Sequence, residues 1–451
     1  MTNEAPGAIE RQLAGFAATL DWQAIPPAVR HEAKRSILNI VGTAFSGCQE
    51  AAVTKALHAH LPYSGKPAAS LIGRQERADP PLAAFLNAMA ANIFDYDDNH
   101  AATIIHPSAP LAPALLAWAE AAPTQGADLL RAFVIGGEIE CRIGNALSPY
   151  HYAHGWHITS TAGIFGAGFG VGALLRLPEA GFVATLGNAA VQSAGLVEAL
   201  GTMSKSISVG NAARQGMMSA LLARDGFTGP PAPLTGARGF LRVYGDAPKL
   251  AALTDGLGAD WEIGRNTYKP YPAGVVLNPV IDAALELAAR PGFKPDRVQG
   301  IALRGHPLLR ERTDRPDVMT GREAQVSAQH AIAVALADGA AGLDAFSDAA
   351  VARTAAAGRP TLTFIDDPSY PIAAVDMTVT LTDGETIEAA VRAARGSAEN
   401  PMTDSDLEAK LKALAQRAAF TGDVNRLIDA VWTLDTAEDA GAIMRLAAAR
   451  P

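Results

Sequence analysis

Between two apolar, helix-like segments the chain reads Phe94-Asp95-Tyr96-Asp97-Asp98-Asn99-His100, followed closely by His106-Pro107-Ser108. Three carboxylates and two imidazoles thus fall within about a dozen residues. Charged groups are costly to bury without partners, so such a knot between core-forming helices predicts a site. The plainer alternative is a polar loop whose aspartates cap helices. An imidazole titrates near pH ~6.5 and is suited to moving protons. A carboxylate beside it can orient it without reacting itself.

Other segments carry the same kind of chemistry. His157, in Gly155-Trp156-His157-Ile158-Thr159, stands at a helix entrance with Thr159 available as a cap, where its ring can face a cleft. Lys205, in Ser204-Lys205-Ser206-Ile207-Ser208, lies ahead of an apolar helix expected over 212–222. The helix dipole disfavours a cation there unless an anion faces it. Lys269 sits in Tyr268-Lys269-Pro270-Tyr271-Pro272-Ala273-Gly274. Its prolines fix the backbone, as a preorganised carboxylate-binding lysine requires. His330, in Ser327-Ala328-Gln329-His330, and His306-Pro307 read by default as ordinary core or surface histidines, and His151 and His154 as loop residues.

Several classes of chemistry are not expected. There is no HExxH, Walker loop, nucleophile elbow or regular metal-ligand spacing, so no metal is assigned to the Asp95, Asp97, Asp98 and His100 cluster. Gly168-x-Gly170-x-x-Ala173 loosely fits a dinucleotide fingerprint. It lacks the preceding strand and reads as close helix packing. Net charge is −9 with no basic stripe, which argues against nucleic acid or an anionic membrane as partner. Cys48 and Cys141 lie in helix-like apolar segments and read as buried thiols, and the cytoplasm is the expected compartment. The N-terminal segment 1–15 has no continuous apolar stretch and is not expected to be a signal peptide.

The elements that position these residues follow from periodicity. At 451 residues with 49% hydrophobic content, two domains are the natural expectation. Helical spacing recurs from Pro27 to about Leu222, with helices expected over 82–93, 109–120, 128–146, 159–177 and 180–200. Beyond Thr228-Gly229-Pro230-Pro231 the character changes. Segments 298–303 and 361–365 read as strands, and 374–381 meets 386–391 across Asp383-Gly384 as a hairpin. Helices are expected over 279–289 and 324–337, then again over 407–414 and 424–434. The reading is a mainly α protein: an all-helical domain over 1–265 plus 400–451, interrupted by an α+β domain over 266–399.

The segments FDYDDNHAATIIHPSAP, GWHITSTAGIFGAG, SKSISVGNAARQGMMSALLARDGFTGP, YKPYPAGVVLNPVIDAA and EAQVSAQHAIAVALADG occur in this order. In that order they resemble MmgE/PrpD-type proteins. That family includes 2-methylcitrate dehydratase, cis-aconitate decarboxylase and iminodisuccinate epimerase. The resemblance implies a large all-helical domain with an inserted α+β lid domain and a cleft between them, a homodimer and no cofactor. It carries catalytic roles onto Asp95, His106, His157, Lys205 and Lys269, and substrate contacts onto Asn99, Ser208, Tyr271 and His330. The chain departs from relatives at Asn99 (often threonine), Ser208 (often histidine), Ala273 and Gly274 (often a cysteine pair), Asn278 (often histidine) and His330 (tyrosine in decarboxylases). These departures tilt the expectation narrowly towards an epimerase or isomerase acting beside a carboxylate of a small di- or tricarboxylate. The alternatives are a dehydratase, a decarboxylase, or a non-catalytic dimeric carboxylate-binding protein. In each enzymatic case a carbanion or enediolate develops next to a carboxylate, and the lysines supply the electrostatic clamp.

Overall fold

The computed structural model describes residues 7–449. Residues 1–6, the start of the N-terminal segment read above for a leader, lie outside them. The chain is mainly α and divides into two units. The first comprises the described parts of Met1–Ile93, Asp97–Asn266 and Thr403–Pro451; the second comprises Phe94–Tyr96 and Thr267–Met402. The second unit therefore takes in a short piece of chain that a contiguous reading of 266–399 leaves out.

The first unit is built around the Ile158–Leu174 helix, whose residues from Ile158 to Ala173 are all buried. A helix that is apolar all round has to be surrounded. Ser108–Ala121, Gly126–Leu147 and Ser204–Arg224 all pack on it. Small residues set the approach: a Cβ on Gly216 would come within 2.6 Å of both the Ile164 carbonyl oxygen and the Ala167 Cβ. Within the glycine run a Cβ on Gly166 would meet Glu140 Oε2 at 2.4 Å and one on Gly170 would meet Leu111 Cδ1 at 2.7 Å, so the run serves helix packing, with no strand leading into it.

Helix ends follow local chemistry. Pro80–Asn92 begins with proline in its first turn, and Asp79 Oδ1 accepts from the Leu82 N–H at 2.8 Å. Glu179–Ala190 is shorter than the helix expected over 180–200. Beyond it Gln192 Nε2 donates to the Asn188 carbonyl at 2.8 Å and Ser193 Oγ to the Thr161 carbonyl at 2.9 Å. Conversely, the helix expected over 212–222 starts earlier, at Ser204. Its first turns are serine-rich and carry no apolar stripe to announce them, and they place Lys205 inside the helix.

Asp404–Arg417 and Val424–Trp432 belong to this first unit and pack on Pro27–Gly47. A capping box joins Thr403 and Asp406, Arg35 pairs with Asp404, and Lys410 Nζ donates to Asn39 Oδ1 at 2.9 Å. No helix among the described residues is long and apolar enough to cross a membrane. Cys48 and Cys141 are buried and free.

The second unit is α+β. Its sheet has four strands: β1 (Val298–Gly305), β2 (Leu362–Asp366), β3 (Val375–Leu381) and β4 (Thr386–Val391), in spatial order β2-β1-β3-β4. β1 and β2 are parallel, in register Ile301 with Leu362, and the crossover between them carries helices Ala328–Asp338 and Asp348–Ala357. β3 and β4 form the hairpin expected across Asp383-Gly384. Along β3, Val375, Met377, Val379 and Leu381 are buried while the residues between them are partly exposed, the period-2 pattern of a strand with one covered face. Val280, Ile281, Ala284 and Leu287 of helix Asn278–Ala288 join them in one core.

Gly216→Leu should overpack the first unit's centre and lower stability by about 2 kcal/mol or more. This would register as a reduced Tm in thermal unfolding; an unchanged Tm would contradict the packing account.

Candidate active site

In the first unit the segment after Pro80–Asn92 turns into the short strand Asp98–His100, and His106 precedes helix Ser108–Ala121. Asp97, Asp98 and His100 are fully buried. Asp97 Oδ1 accepts from His106 Nδ1 at 2.8 Å, and its other oxygen accepts from Asn92 Nδ2 at 2.7 Å. Asp98 caps the helix: both carboxylate oxygens face the Ser108 N–H at 3.3 Å, Ser108 Oγ donates to one, and Asn266 Nδ2 donates at 2.6 Å. Burial and the neighbouring Asp97 charge still push its pKa up to about 6. His100 is held on both nitrogens, by Thr103 Oγ1 at 2.8 Å and Glu262 Oε2 at 3.0 Å. Burial pulls Glu262 upward, but bonds from His100 and Asn145 and the charges of His100 and Arg265 outweigh it and hold the carboxyl at about 2. His100 is thus a structural imidazole.

His157 is the N-cap residue of Ile158–Leu174 and is almost fully buried. Its Nδ1 lies 3.1 Å from Ser160 Oγ and 3.4 Å from Ser208 Oγ. Its backbone N–H donates to the Gly195 carbonyl at 3.1 Å. Gly195 has φ +149°, and a Cβ there would meet Ser160 Oγ at 2.0 Å, so only glycine fits beside this histidine. Lys205, buried in the first turn of its helix, reaches the Asn92 carbonyl at 3.5 Å. Ser208 Oγ also donates to the Lys205 carbonyl at 2.8 Å, and the His106 N–H donates to Thr159 Oγ1 at 3.2 Å. Shared neighbours thus tie His106, His157, Lys205 and Ser208 into one region of the unit. Asn99 is buried next to Asp98.

In the second unit Lys269 Nζ donates to Asp95 Oδ2 at 2.5 Å and to the Asp95 carbonyl at 2.9 Å. Asp95 sits at φ +54°, a left-handed conformation that aspartate tolerates better than most residues. Several bonds hold the two segments together. Tyr96 Oη donates to the Pro270 carbonyl at 2.9 Å, and Gln325 Nε2 donates to the Phe94 carbonyl at 2.8 Å and the Pro272 carbonyl at 2.9 Å. The lysine is therefore held as the prolines that follow it suggest.

Two expected substrate contacts have interior duties instead. His330 is fully buried, with Thr354 Oγ1 at 3.0 Å from Nδ1 and the Ala345 carbonyl at 2.7 Å from Nε2, and its ring packs edge-on against Phe346. Burial lowers its pKa, as for a neutral core imidazole. Tyr271 Oη donates to Asp282 Oδ1 at 2.6 Å, and burial together with that carboxylate raises its pKa. Both hydrogen-bond networks face inward, and sequence spacing could not reveal that direction. Asn92, Ser160 and Gln325 were missed altogether. Each acts on another site residue or on a backbone carbonyl, and although Ser160 and Gln325 lie inside segments that resemble the family, nothing in their residue type singles them out.

Comparison with known proteins defines the class. The MmgE/PrpD N-terminal domain matches residues 11–252 and the MmgE/PrpD C-terminal domain matches residues 271–436. The chain belongs to the MmgE/PrpD family. It is 28% identical over 438 residues to the cis-aconitate decarboxylase of Homo sapiens, covering 93% of this chain and 90% of that protein. It is 27% identical over 462 residues to the cis-aconitate decarboxylase of Mus musculus, covering 97% and 93%. It is also 27% identical over 479 residues to the cis-aconitate decarboxylase-like protein oryM of Aspergillus oryzae, covering 99% and 98%.

The buried Asp98 carries a pH dependence. Its folded pKa of about 6 lies above the ~3.9 of an unfolded aspartate. The native state therefore binds the extra proton between about pH 4 and pH 6, and stability falls as pH rises through that window by on the order of 2–3 kcal/mol. Asp98→Asn should flatten the Tm-against-pH curve across this range. Parallel curves for variant and wild type would contradict the assignment.

Proposed function

We propose that this chain is a lyase acting on carbon next to a carboxylate of a small tricarboxylate, with decarboxylation of the cis-aconitate type as the reaction. The observation that supports this most is the buried group of His106, His157 and Lys205 in a chain aligned over nine-tenths of its length with a decarboxylase. Two of the named relatives are cis-aconitate decarboxylases and the third is cis-aconitate decarboxylase-like, which moves that alternative ahead of the epimerase favoured on sequence departures alone. The homodimer and the cytoplasmic setting belong to the same proposal.

The chemistry assigns roles. Breaking the bond between carbon and a carboxylate releases CO2 and leaves the electron pair on the carbon skeleton. The pair delocalises onto a neighbouring carboxylate, and a proton must then be delivered to carbon. Lys205 and Lys269 provide positive charge for the substrate carboxylates and for the developing negative charge. His157 delivers the proton, being an imidazole at a helix entrance with Ser160 and Ser208 fixing its ring. His106 is the second acid/base candidate. Asp95 orients Lys269, and Asn99 and Ser208 contact the substrate.

The test is product analysis with cis-aconitate, 2-methylcitrate and iminodisuccinate, following CO2 release and products by NMR. The expected result is CO2 and a five-carbon diacid from cis-aconitate. Lys269→Ala should lose about 10²-fold or more in kcat while keeping the wild-type circular dichroism. Its partner Asp95 has a side chain 34% exposed, so water can solvate the carboxylate left behind. Epimerisation of iminodisuccinate without CO2 release, binding without turnover, or near-normal rates in Lys269→Ala would overturn the proposal.

A further inference from the structure

We infer that Asp97 is the positioning residue of His106, fixing its ring so that proton transfer falls to Nε2. Three observations carry this inference. Asp97 is fully buried, and one of its oxygens meets His106 Nδ1 at 2.8 Å. The other oxygen is engaged by Asn92 Nδ2 at 2.7 Å, so the carboxylate is held from behind and cannot rotate away without breaking that bond. Asn92 is itself fully buried, and its backbone carbonyl accepts from Lys205 Nζ at 3.5 Å. One short relay, Lys205–Asn92–Asp97–His106, thereby sets two of the groups assigned to the reaction relative to each other.

An ionised carboxylate only accepts hydrogen bonds, so Nδ1 of the facing imidazole must carry the proton. The neutral ring is then the Nδ1–H tautomer, and the lone pair available for chemistry is on Nε2. Once Nε2 takes a proton, the carboxylate stabilises the imidazolium without being protonated, as an orienting aspartate does in other acid/base sites. Asp98, the adjacent buried carboxylate, bonds to Ser108 and Asn266 and so is committed elsewhere. Asp95 is paired with Lys269. Asp97 is the carboxylate that meets Nδ1 of this histidine at hydrogen-bond distance.

The inference rests on the proposed role of His106, and its test is chosen to separate the two. The tautomer is read directly from side-chain 15N shifts of the full chain without substrate, with the His106 signals assigned by their loss in His106→Gln. Wild type should show a proton on Nδ1 and a pyridine-like Nε2. In Asp97→Leu the ring should shift towards the Nε2–H form, and kcat on cis-aconitate should fall by about 10²-fold or more with KM within a few-fold. Asp97→Asn, which keeps an acceptor in place and is the gentler change for folding, should fall between the two in kcat. An Nε2–H ring in wild type would overturn the inference. So would an unchanged tautomer in folded Asp97→Leu, even with lost turnover, since that loss would then come from packing. If wild type proves inert towards every acid tested, the proposed function fails, while the 15N shifts still decide whether Asp97 sets the ring.

Discussion

Neighbouring aspartates cannot be taken into a protein interior unless each finds a partner, and this requirement organises the candidate site around the fully buried Asp97 and Asp98. Asp97 is held by His106 and Asn92, Asp98 by the Ser108 helix end and Asn266, and Asp95 by Lys269. Desolvating an ion without compensation costs several kcal/mol. For Asp97 and Asp98 these contacts are therefore a structural necessity before they are a chemical opportunity, whereas Asp95, its side chain 34% exposed, keeps access to water beside Lys269. The partners happen to be an imidazole, a helix N-terminus and an amine, and the geometry that satisfies burial also orients groups able to move protons. Asp98 shows the limit of the arrangement. Even with its partners, burial and the adjacent charge hold it near the edge of protonation.

Much of this was legible in the chain. The Asp383-Gly384 hairpin, the alternation along β3 and the glycine run in Ile158–Leu174 follow from local rules of turn chemistry, pleat and close packing. His157 at a helix entrance and Lys269 ahead of Pro270 and Pro272 were readable because neighbouring residues constrain them. What escaped was set by distant contacts. The helix carrying Lys205 begins earlier than its apolar pattern does, and the serines of its first turns, whose hydroxyls bond to backbone carbonyls, show no apolar face that would announce it. His330 and Tyr271 are expected as substrate contacts only through the family resemblance, while residue type alone reads His330 as an ordinary core or surface histidine; their polar atoms are engaged by Thr354, Ala345 and Asp282. Spacing places a residue on an element but does not say which way an inward-facing polar atom is satisfied.

The departures from relatives are read differently once the contacts are known. Ser208 bonds to the Lys205 carbonyl and approaches His157, so a small hydroxyl there links two site residues. His330 in place of tyrosine is absorbed into the core of the second unit. Neither change demands epimerisation, and both are compatible with the decarboxylase reading that the relatives favour.

The central claim is that buried imidazoles and amines, held by carboxylates, serines and backbone carbonyls, move a proton at a carbon atom of a tricarboxylate. The most direct measurement is a 1H NMR time course of cis-aconitate with the purified chain in D2O. The account predicts a five-carbon product carrying one carbon-bound solvent deuteron for each CO2 released. Substrate left intact, with all its carbon-bound protons retained after prolonged incubation, would contradict it.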